Sequence, residues 1–278
     1  MTRFNEKTWF VTGASAGFGK ALAHAVLERG GRIIATARDV TRLEELAIAG
    51  GSRALLLPLD VARPDQIAPA IAQAEAFGGI DVLVNNAGYG FLGGIEESSE
   101  AELRQQMEVN FFGAAELIRC ALPAMRSRGR GYIVNISSIA GVRGFASSGW
   151  YSASKFALEG LSEALAKEIE PFGIGVMIVE PGQFRTDFAG RSIVGPSSPI
   201  ADYEHLAAVR TSVDEMDGRQ PGDPARAAAA ILDAVNAPAP PRRLVLGTDA
   251  VQVVKGALQQ RIDELAAWTS VAEGANFR

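Results

Sequence analysis

Cysteine, histidine and tyrosine are scarce in this chain. Its 278 residues include one cysteine, two histidines and four tyrosines. The lone thiol, Cys120, has no partner for an internal disulfide and no neighbouring cysteine with which to hold a metal. It falls in the helical pattern AELIRCALPAM and reads as a small buried apolar side chain. His24 and His205 lie far apart in sequence and read as core or surface filler rather than as ligands or general bases. No metal site is expected. No apolar run approaches the ~20 residues of a membrane span. Positive charge is not in excess either. The net charge is −5, which argues against nucleic acid and anionic membrane as partners. At the N-terminus the charged Arg3, Glu6 and Lys7 lead straight into the strand-like Trp9-Phe10-Val11, unlike a secretory signal. The expected location is the cytoplasm.

The composition, 47% hydrophobic and 21% charged, is that of a folded globular chain with enough apolar mass for one large domain spanning residues 1–278. Short apolar runs predict strands at Thr8–Thr12, Arg32–Thr36, Arg53–Pro58, Asp81–Val84, Gly131–Ile136, Gly175–Val179 and Leu244–Leu246. Between them, amphipathic stretches predict helices at Gly17–Arg29, Val40–Ala49, Pro64–Phe77, Glu100–Arg128, Trp150–Phe172 and Pro224–Asn236. The strands are apolar on both faces, as in a parallel sheet covered by helices on each side, so the pattern predicts a doubly wound α/β fold. Residues 186–223 break the rhythm with glycines and prolines and read as a substrate lid. Residues 248–278 add a C-terminal helix, about Ala250–Ala272, packed on the body or on a partner subunit.

The first strand runs into TGASAGFGK and then directly into a helix. Strand, glycine turn and helix together present free backbone N–H groups to a pyrophosphate, and glycines let the backbone come close. The spacing G-x-x-x-G-x-G of Gly13, Gly17 and Gly19 differs from the Mg–nucleotide loop, because no Ser or Thr follows Lys20. In such folds an acidic residue about 20 positions on takes the ribose 2′-OH of NAD. Here that place holds Ala37, followed by Arg38, a pairing that suits a 2′-phosphate and hence NADP(H) over NAD(H). Asp39 complicates this: it would repel the phosphate if it pointed inward, or it caps the next helix.

Tyr151 and Lys155 stand four apart at the start of a helix and so share a face. Reducing a carbonyl by hydride leaves an alkoxide that needs a proton. A tyrosine at its usual pKa of about 10 is a poor donor near neutrality, and an adjacent ammonium lowers that pKa. Reaching about 7 takes roughly 4 kcal/mol. Upstream, the apolar strand ending in Asn135-Ile136-Ser137-Ser138 places hydroxyls where ligands bind in such sheets, and Ser138 could donate to the substrate oxygen, with Ser137 as its rival. Asn86, Gly88 and Gly90 follow another strand end. Asn110 sits mid-helix, an unfavourable place that hints at a buried hydrogen-bonding role.

Taken together, these residues resemble the short-chain dehydrogenase/reductase family from Thr8 to about Gly247. The T-G-x-x-x-G-x-G motif falls on Thr12, Gly13, Gly17 and Gly19, N-N-A-G on Asn85–Gly88, and the Asn-Ser-Tyr-Lys tetrad on Asn110, Ser138, Tyr151 and Lys155. The resemblance implies a Rossmann-type three-layer fold with a seven-stranded parallel sheet in the order 3-2-1-4-5-6-7. It implies Tyr151 as proton donor or acceptor and Lys155 on the nicotinamide ribose. It further implies Ser138 orienting the substrate oxygen, and Asn110 holding a water. The cofactor-binding set would comprise Gly13, Ser15, Ala16, Gly17, Phe18, Gly19, Arg38, Asp60, Val61, Asn86, Ala87, Gly88, Tyr151, Lys155, Pro181, Gly182, Phe184 and Thr186. ATARD and EPGQFRTDF look most like the branch containing retinol and 17β-hydroxysteroid dehydrogenase-like proteins. Apolar and aromatic residues beside the site, among them Phe91, Val142, Phe188 and Tyr203, favour a lipophilic carbonyl or alcohol substrate. The rival readings are an NAD-dependent alcohol dehydrogenase and a non-catalytic NADP-sensing protein. The C-terminal addition leaves the oligomeric state open, with a homo-oligomer in view.

Overall fold

The computed structural model describes residues 7–277; Arg3 and Glu6, which carried part of the N-terminal reading, lie outside the described residues. The strands are β1 (Thr8–Val11), β2 (Arg32–Ala37), β3 (Ala54–Pro58), β4 (Val82–Asn85), β5 (Gly90–Phe91), β6 (Gly131–Ile136), β7 (Ile174–Pro181), β8 (Ile193–Val194) and β9 (Arg243–Leu246). Seven form one sheet in the order β3-β2-β1-β4-β6-β7-β9, every neighbour parallel, while β5 and β8 pair with each other. Leaving the small pair aside, this is the expected 3-2-1-4-5-6-7 order. The strand order reverses between β1 and β4, so their carboxyl ends border the crevice where ligands bind in open α/β sheets.

The helices are α1 (Gly17–Glu28), α2 (Glu44–Gly50), α3 (Pro64–Phe77), α4 (Glu100–Met107), α5 (Gly113–Arg128), α6 (Gly149–Ile169), α7 (Phe188–Arg191), α8 (Glu204–Glu215), α9 (Pro224–Asn236) and α10 (Thr248–Glu273). Successive strand residues feed opposite faces of the sheet, because side chains alternate along a strand. Trp9, Val11, Ile33 and Val84 pack with Leu22 and Val26 of α1 and Ile231 and Leu232 of α9. Phe10, Ile34, Leu83 and Ile133 pack on the other face with α3, α5 and α6, through Ile67, Leu117, Met125 and Leu165. Burying apolar groups on both faces is worth about 25 cal/mol per Å² and drives the three-layer arrangement. Between β4, β6 and α6 runs a buried polar seam: Asn85 Nδ2 donates to Asn135 Oδ1 and Asn135 Nδ2 to Ser162 Oγ, both at 2.8 Å.

Several expectations need correction. The helix expected over Glu100–Arg128 is interrupted by a π-helical turn at Glu108–Phe112. Immediately after it, Gly113 packs so closely on the loop behind β3 that a Cβ there would lie 2.6 Å from the Val61 carbonyl oxygen. The second helix begins as a 3-10 turn, Val40–Leu43, before α2. The 186–223 segment is built rather than irregular, holding α7, β8 and α8. Cys120 is only partly buried, its Sγ 3.4 Å from Glu116 Oε1. In α10, Ala250, Val254 and Ala257 pack on the body, but Leu258, Ile262, Leu265 and Trp268 are exposed. Among the described residues, no helix is long and apolar enough to cross a membrane and no cluster of metal-ligating side chains occurs.

Candidate active site

The glycine turn between β1 and α1 is shaped by backbone freedom and close approach. Gly13 and Gly17 hold φ values of +64° and +53°, a region costly for residues with a Cβ. A Cβ on Gly19 would sit 2.4 Å from the Gly13 carbonyl oxygen, so α1 can start against the turn only with glycine there. Ala16 precedes the helix with no side-chain cap, and the first turn carries no acidic residue. The orphan N–H groups and the positive helix end are thereby left for an anion, with Ser15, Ala16 and Phe18 alongside. This cradle fits the pyrophosphate of a dinucleotide.

Thr12 locks the turn to β4. Its hydroxyl accepts from the N–H groups of Asn86 and Ala87, each at 2.9 Å, while Asn86 Nδ2 donates to the Thr12 carbonyl at 2.8 Å. The Asn86 amide is thus committed to the protein backbone. Gly88 beyond it faces the site, where an added Cβ would lie 3.2 Å from Asn110 Oδ1 and 3.6 Å from Lys155 Nζ. At the end of β2, Arg38 is exposed. Asp39 does not aim inward. Its Oδ1 accepts from the Thr41 amide at 3.1 Å and hydroxyl at 2.7 Å, capping the next turn, and these bonds hold its carboxyl below the usual range. After β3, Asp60 Oδ1 accepts from the Ala62 amide at 3.0 Å, and Val61 is buried.

Three consecutive residues at the end of β6 meet three residues of α6 spaced one turn apart. Lys155 Nζ donates to the Ile136 carbonyl at 2.8 Å. The Ser138 hydroxyl, which also accepts from the Ala140 amide at 3.1 Å, interacts with the Tyr151 phenol. Ser137 and Glu159 meet over Gly141, where an added Cβ would lie 2.6 Å from Ser137 Oγ and 2.9 Å from Glu159 Cγ. The Lys155 ammonium lies 5.8 Å from the Tyr151 ring centroid. Burial pushes the phenol up to about 12, against the opposing pull of Ser138. Burial also draws Lys155 down to about 8, opposed by the Glu159 charge. Burial in the protein by itself thus opposes the expected lowering of the tyrosine. Desolvation outweighs the pull of Ser138, and the Lys155 ammonium spends a hydrogen bond on Ile136.

Asn110 lies in the π-helical turn, an irregularity often found at functional sites. Its Oδ1 accepts from the Tyr89 amide at 3.0 Å, and its Nδ2 donates to the Tyr89 carbonyl at 2.9 Å and to Ser154 Oγ at 3.1 Å. It pins the loop after β4 to α6.

The chain after β7 closes the crevice. Pro181 ends the strand. Gly182 packs so tightly on Asp249 that a Cβ would lie 2.2 Å from its Oδ2, which accepts from the Gln183 amide at 2.7 Å. The Phe184 ring is 4.9 Å from that of Phe18, and the Thr186 side chain comes to 3.4 Å from where a Gly17 Cβ would be. Phe188 brings its ring within 5.9 Å of Tyr151. The apolar residues expected beside the substrate divide: Phe91 and Val142 are buried, while the Tyr203 hydroxyl turns to Glu96 Oε2 at 2.8 Å. Sequence reasoning passed over the clamp made by Thr12 and the anchor at Asp249, and it missed Glu159. For Glu159 a signal existed: it continues the i, i+4 spacing of Tyr151 and Lys155 on one helix face.

Residues 7–193 match the profile of the short chain dehydrogenase family. The chain is 39% identical over 239 residues to a 3-ketodihydrosphingosine reductase of Bacteroides thetaiotaomicron, covering 85% of this chain and 86% of that one. It is 37% identical over 210 residues to human retinol dehydrogenase 8, covering 72% and 67%. Its fold is similar to the crystal structure of a short-chain dehydrogenase from Streptomyces avermitilis, with TM-score 0.91, 45% identity and coverage of 97% and 100%. Similar structures include one from Burkholderia phymatum in complex with NAD, with TM-score 0.82, 25% identity and coverage of 96% and 97%. Another, of metagenomic origin, is in complex with NADP, with TM-score 0.61, 38% identity and coverage of 64% and 83%. With the glycine cradle and the Tyr151–Lys155 face in place, these matches carry the conclusion that the chain is an oxidoreductase of the short-chain dehydrogenase/reductase family.

Proposed function

We propose that the protein is a cytoplasmic, NADP(H)-dependent reductase of lipophilic carbonyl compounds, with Tyr151 as the acid that protonates the substrate oxygen. The observation that carries this reading is the convergence of Tyr151, Lys155 and Ser138 at the carboxyl end of β6, with Gly88 on the far side. Bound NADPH supplies the hydride. Ser138 donates to the substrate oxygen and sets it against Tyr151, which gives up its phenolic proton as the oxygen gains negative charge. Lys155 steadies the phenolate that remains, since an ammonium nearby favours the charged form.

Arg38 supports the choice of NADP, because its guanidinium is free to fork onto a 2′-phosphate while Asp39 is engaged with Thr41. Phe188 against Tyr151 and the neighbouring Phe184 and Phe18 rings support an apolar substrate. The two relatives named above act, by their names, on a sphingoid ketone and on retinol, both lipophilic. The decisive test is Tyr151→Phe assayed with NADPH against a panel of lipophilic ketones and aldehydes. Turnover should fall by at least about 10³-fold while NADPH still binds. Turnover near the wild-type rate would refute the assignment.

A further inference from the structure

Behind Lys155 lies a cluster of charged groups that hydride transfer does not require. Arg243 of β9 meets three carboxylates from two other elements: Glu159 at 3.0 Å and Glu163 at 2.6 Å on α6, and Glu180 at 2.9 Å at the end of β7. The Glu180 side chain is wholly buried and that of Glu159 nearly so, at 0% and 8% exposure. Neither Glu180 oxygen has a well-aligned hydrogen bond, and Glu159 Oε1 has none either. Buried carboxylates without full pairing cost stability, so their retention beside the site calls for a reason.

Position supplies one. Tyr151, Lys155 and Glu159 occupy successive turns on one face of α6, facing Ser138, Ile136 and Ser137 in turn. Glu159 Oε1 would lie 3.2 Å from a Cβ on Gly141, so glycine there makes room for it. The groups facing Glu159 are Lys155 and Glu163 on its own helix, Glu180 on β7, Arg243 on β9 and the Ser137 hydroxyl beyond β6. Of these cations, only Lys155 faces the reaction.

We propose that Glu159 is a positioning residue for the reaction: it is the counter-charge that keeps the buried Lys155 ammonium charged, and Arg243 in turn keeps Glu159 charged against its own burial. This rests on the acid/base reading above. Burial alone favours neutral Lys155, and the Glu159 charge is what opposes it. Burial presses Glu159 toward the neutral acid while Arg243 draws it toward the anion, and the Glu159 charge in turn presses Glu180 toward the neutral acid.

The test follows kcat and NADPH affinity, the latter by NADPH fluorescence, from pH 6 to 10 in wild type, Glu159→Gln, Glu159→Asp and Glu180→Gln. Glu159→Gln should move the alkaline limb of both curves down by about 1 pH unit, the scale of one nearby opposite charge. Glu159→Asp should return the limb toward wild type. Glu180→Gln should leave the limb near wild type, because the charge that faces Lys155 is that of Glu159 and not of Glu180. A merely structural role would degrade all variants in the same direction. Wild-type limbs in Glu159→Gln, or a downward shift of about 1 pH unit in Glu180→Gln, would overturn the proposal, and the second criterion stands even if Glu159→Gln does not fold. Tyr151→Phe separates the two readings. If that variant is inert and the limbs do not move, only the role of Glu159 fails; if it is active, the acid/base reading itself fails.

Discussion

The Asn110 side chain closes a ring with the backbone of Tyr89, accepting its N–H at 3.0 Å and donating to its carbonyl at 2.9 Å. The amide thereby substitutes for a strand neighbour and holds the loop after β4 flat beneath the site. A third bond, from Nδ2 to Ser154 Oγ at 3.1 Å, ties that loop to the helix bearing Tyr151.

Asn110→Ala removes all three bonds and leaves the Tyr89 amide unpaired, while the Tyr89 carbonyl keeps the bond from Gln106 Nε2. A loss of about 1–3 kcal/mol is expected, seen as a fall in Tm and in the urea midpoint. NADPH affinity should fall with it, since Gly88 lies in the freed loop. Unchanged thermal and urea curves would show that the clamp is not what holds the loop.

Gly19→Ala tests the cradle. The new Cβ would stand 2.4 Å from a backbone oxygen and 2.5 Å from Asn86 Nδ2, and neither is a flexible chain end. The turn must shift, so NADPH affinity measured by fluorescence titration should fall by at least about tenfold, the equivalent of ~1.4 kcal/mol. Affinity within twofold of wild type would mean that helix and turn separate freely.

Arg38→Ala tests cofactor choice. Losing a charge-assisted fork to a 2′-phosphate should raise the KM for NADPH by about 10–100-fold and leave that for NADH unchanged, as expected for a bond worth about 1.5–3 kcal/mol. Equal effects on both cofactors would exclude 2′-phosphate recognition by Arg38.

Glu180 should leave a mark on the pH dependence of stability. Burial first, then the Glu159 charge, raise its carboxyl to about 7. A carboxyl raised in the folded state binds more protons folded than unfolded. Stability therefore falls as pH rises from the ordinary carboxylate range near 4.3 through about 7. Glu180→Gln should remove this slope. It should gain on the order of 2 kcal/mol at pH 8 and little at pH 4, read from urea melts at the two pH values. A variant less stable than wild type at pH 8 would show that the pairing with Arg243 outweighs the burial.

The chain order of strands, the glycine turn and the Tyr151–Lys155 spacing were legible because each is local. Alternation of apolar residues reports burial on two faces, glycines report positive φ or close approach, and i, i+4 spacing on a helix fixes a shared face whatever surrounds it. The commitment of Asn86 and Asn110 to backbone partners, the π-helical turn and the folded 186–223 segment were not legible. Each depends on which residue lies opposite across a gap of tens of positions, and a sequence pattern carries no such distance.

By itself, then, the amino-acid order determined a parallel sheet wrapped by helices, a dinucleotide cradle and a helix face bearing a phenol and an ammonium. Only the tertiary structure decided the state of those groups. It enclosed Tyr151 in part and Lys155 almost wholly, so that desolvation dominates both, and it brought Arg243, more than 80 positions away, onto Glu159. Charge interactions inside a protein depend on distance and on exclusion of water, and both arise only when β6, β7, β9 and α6 come together.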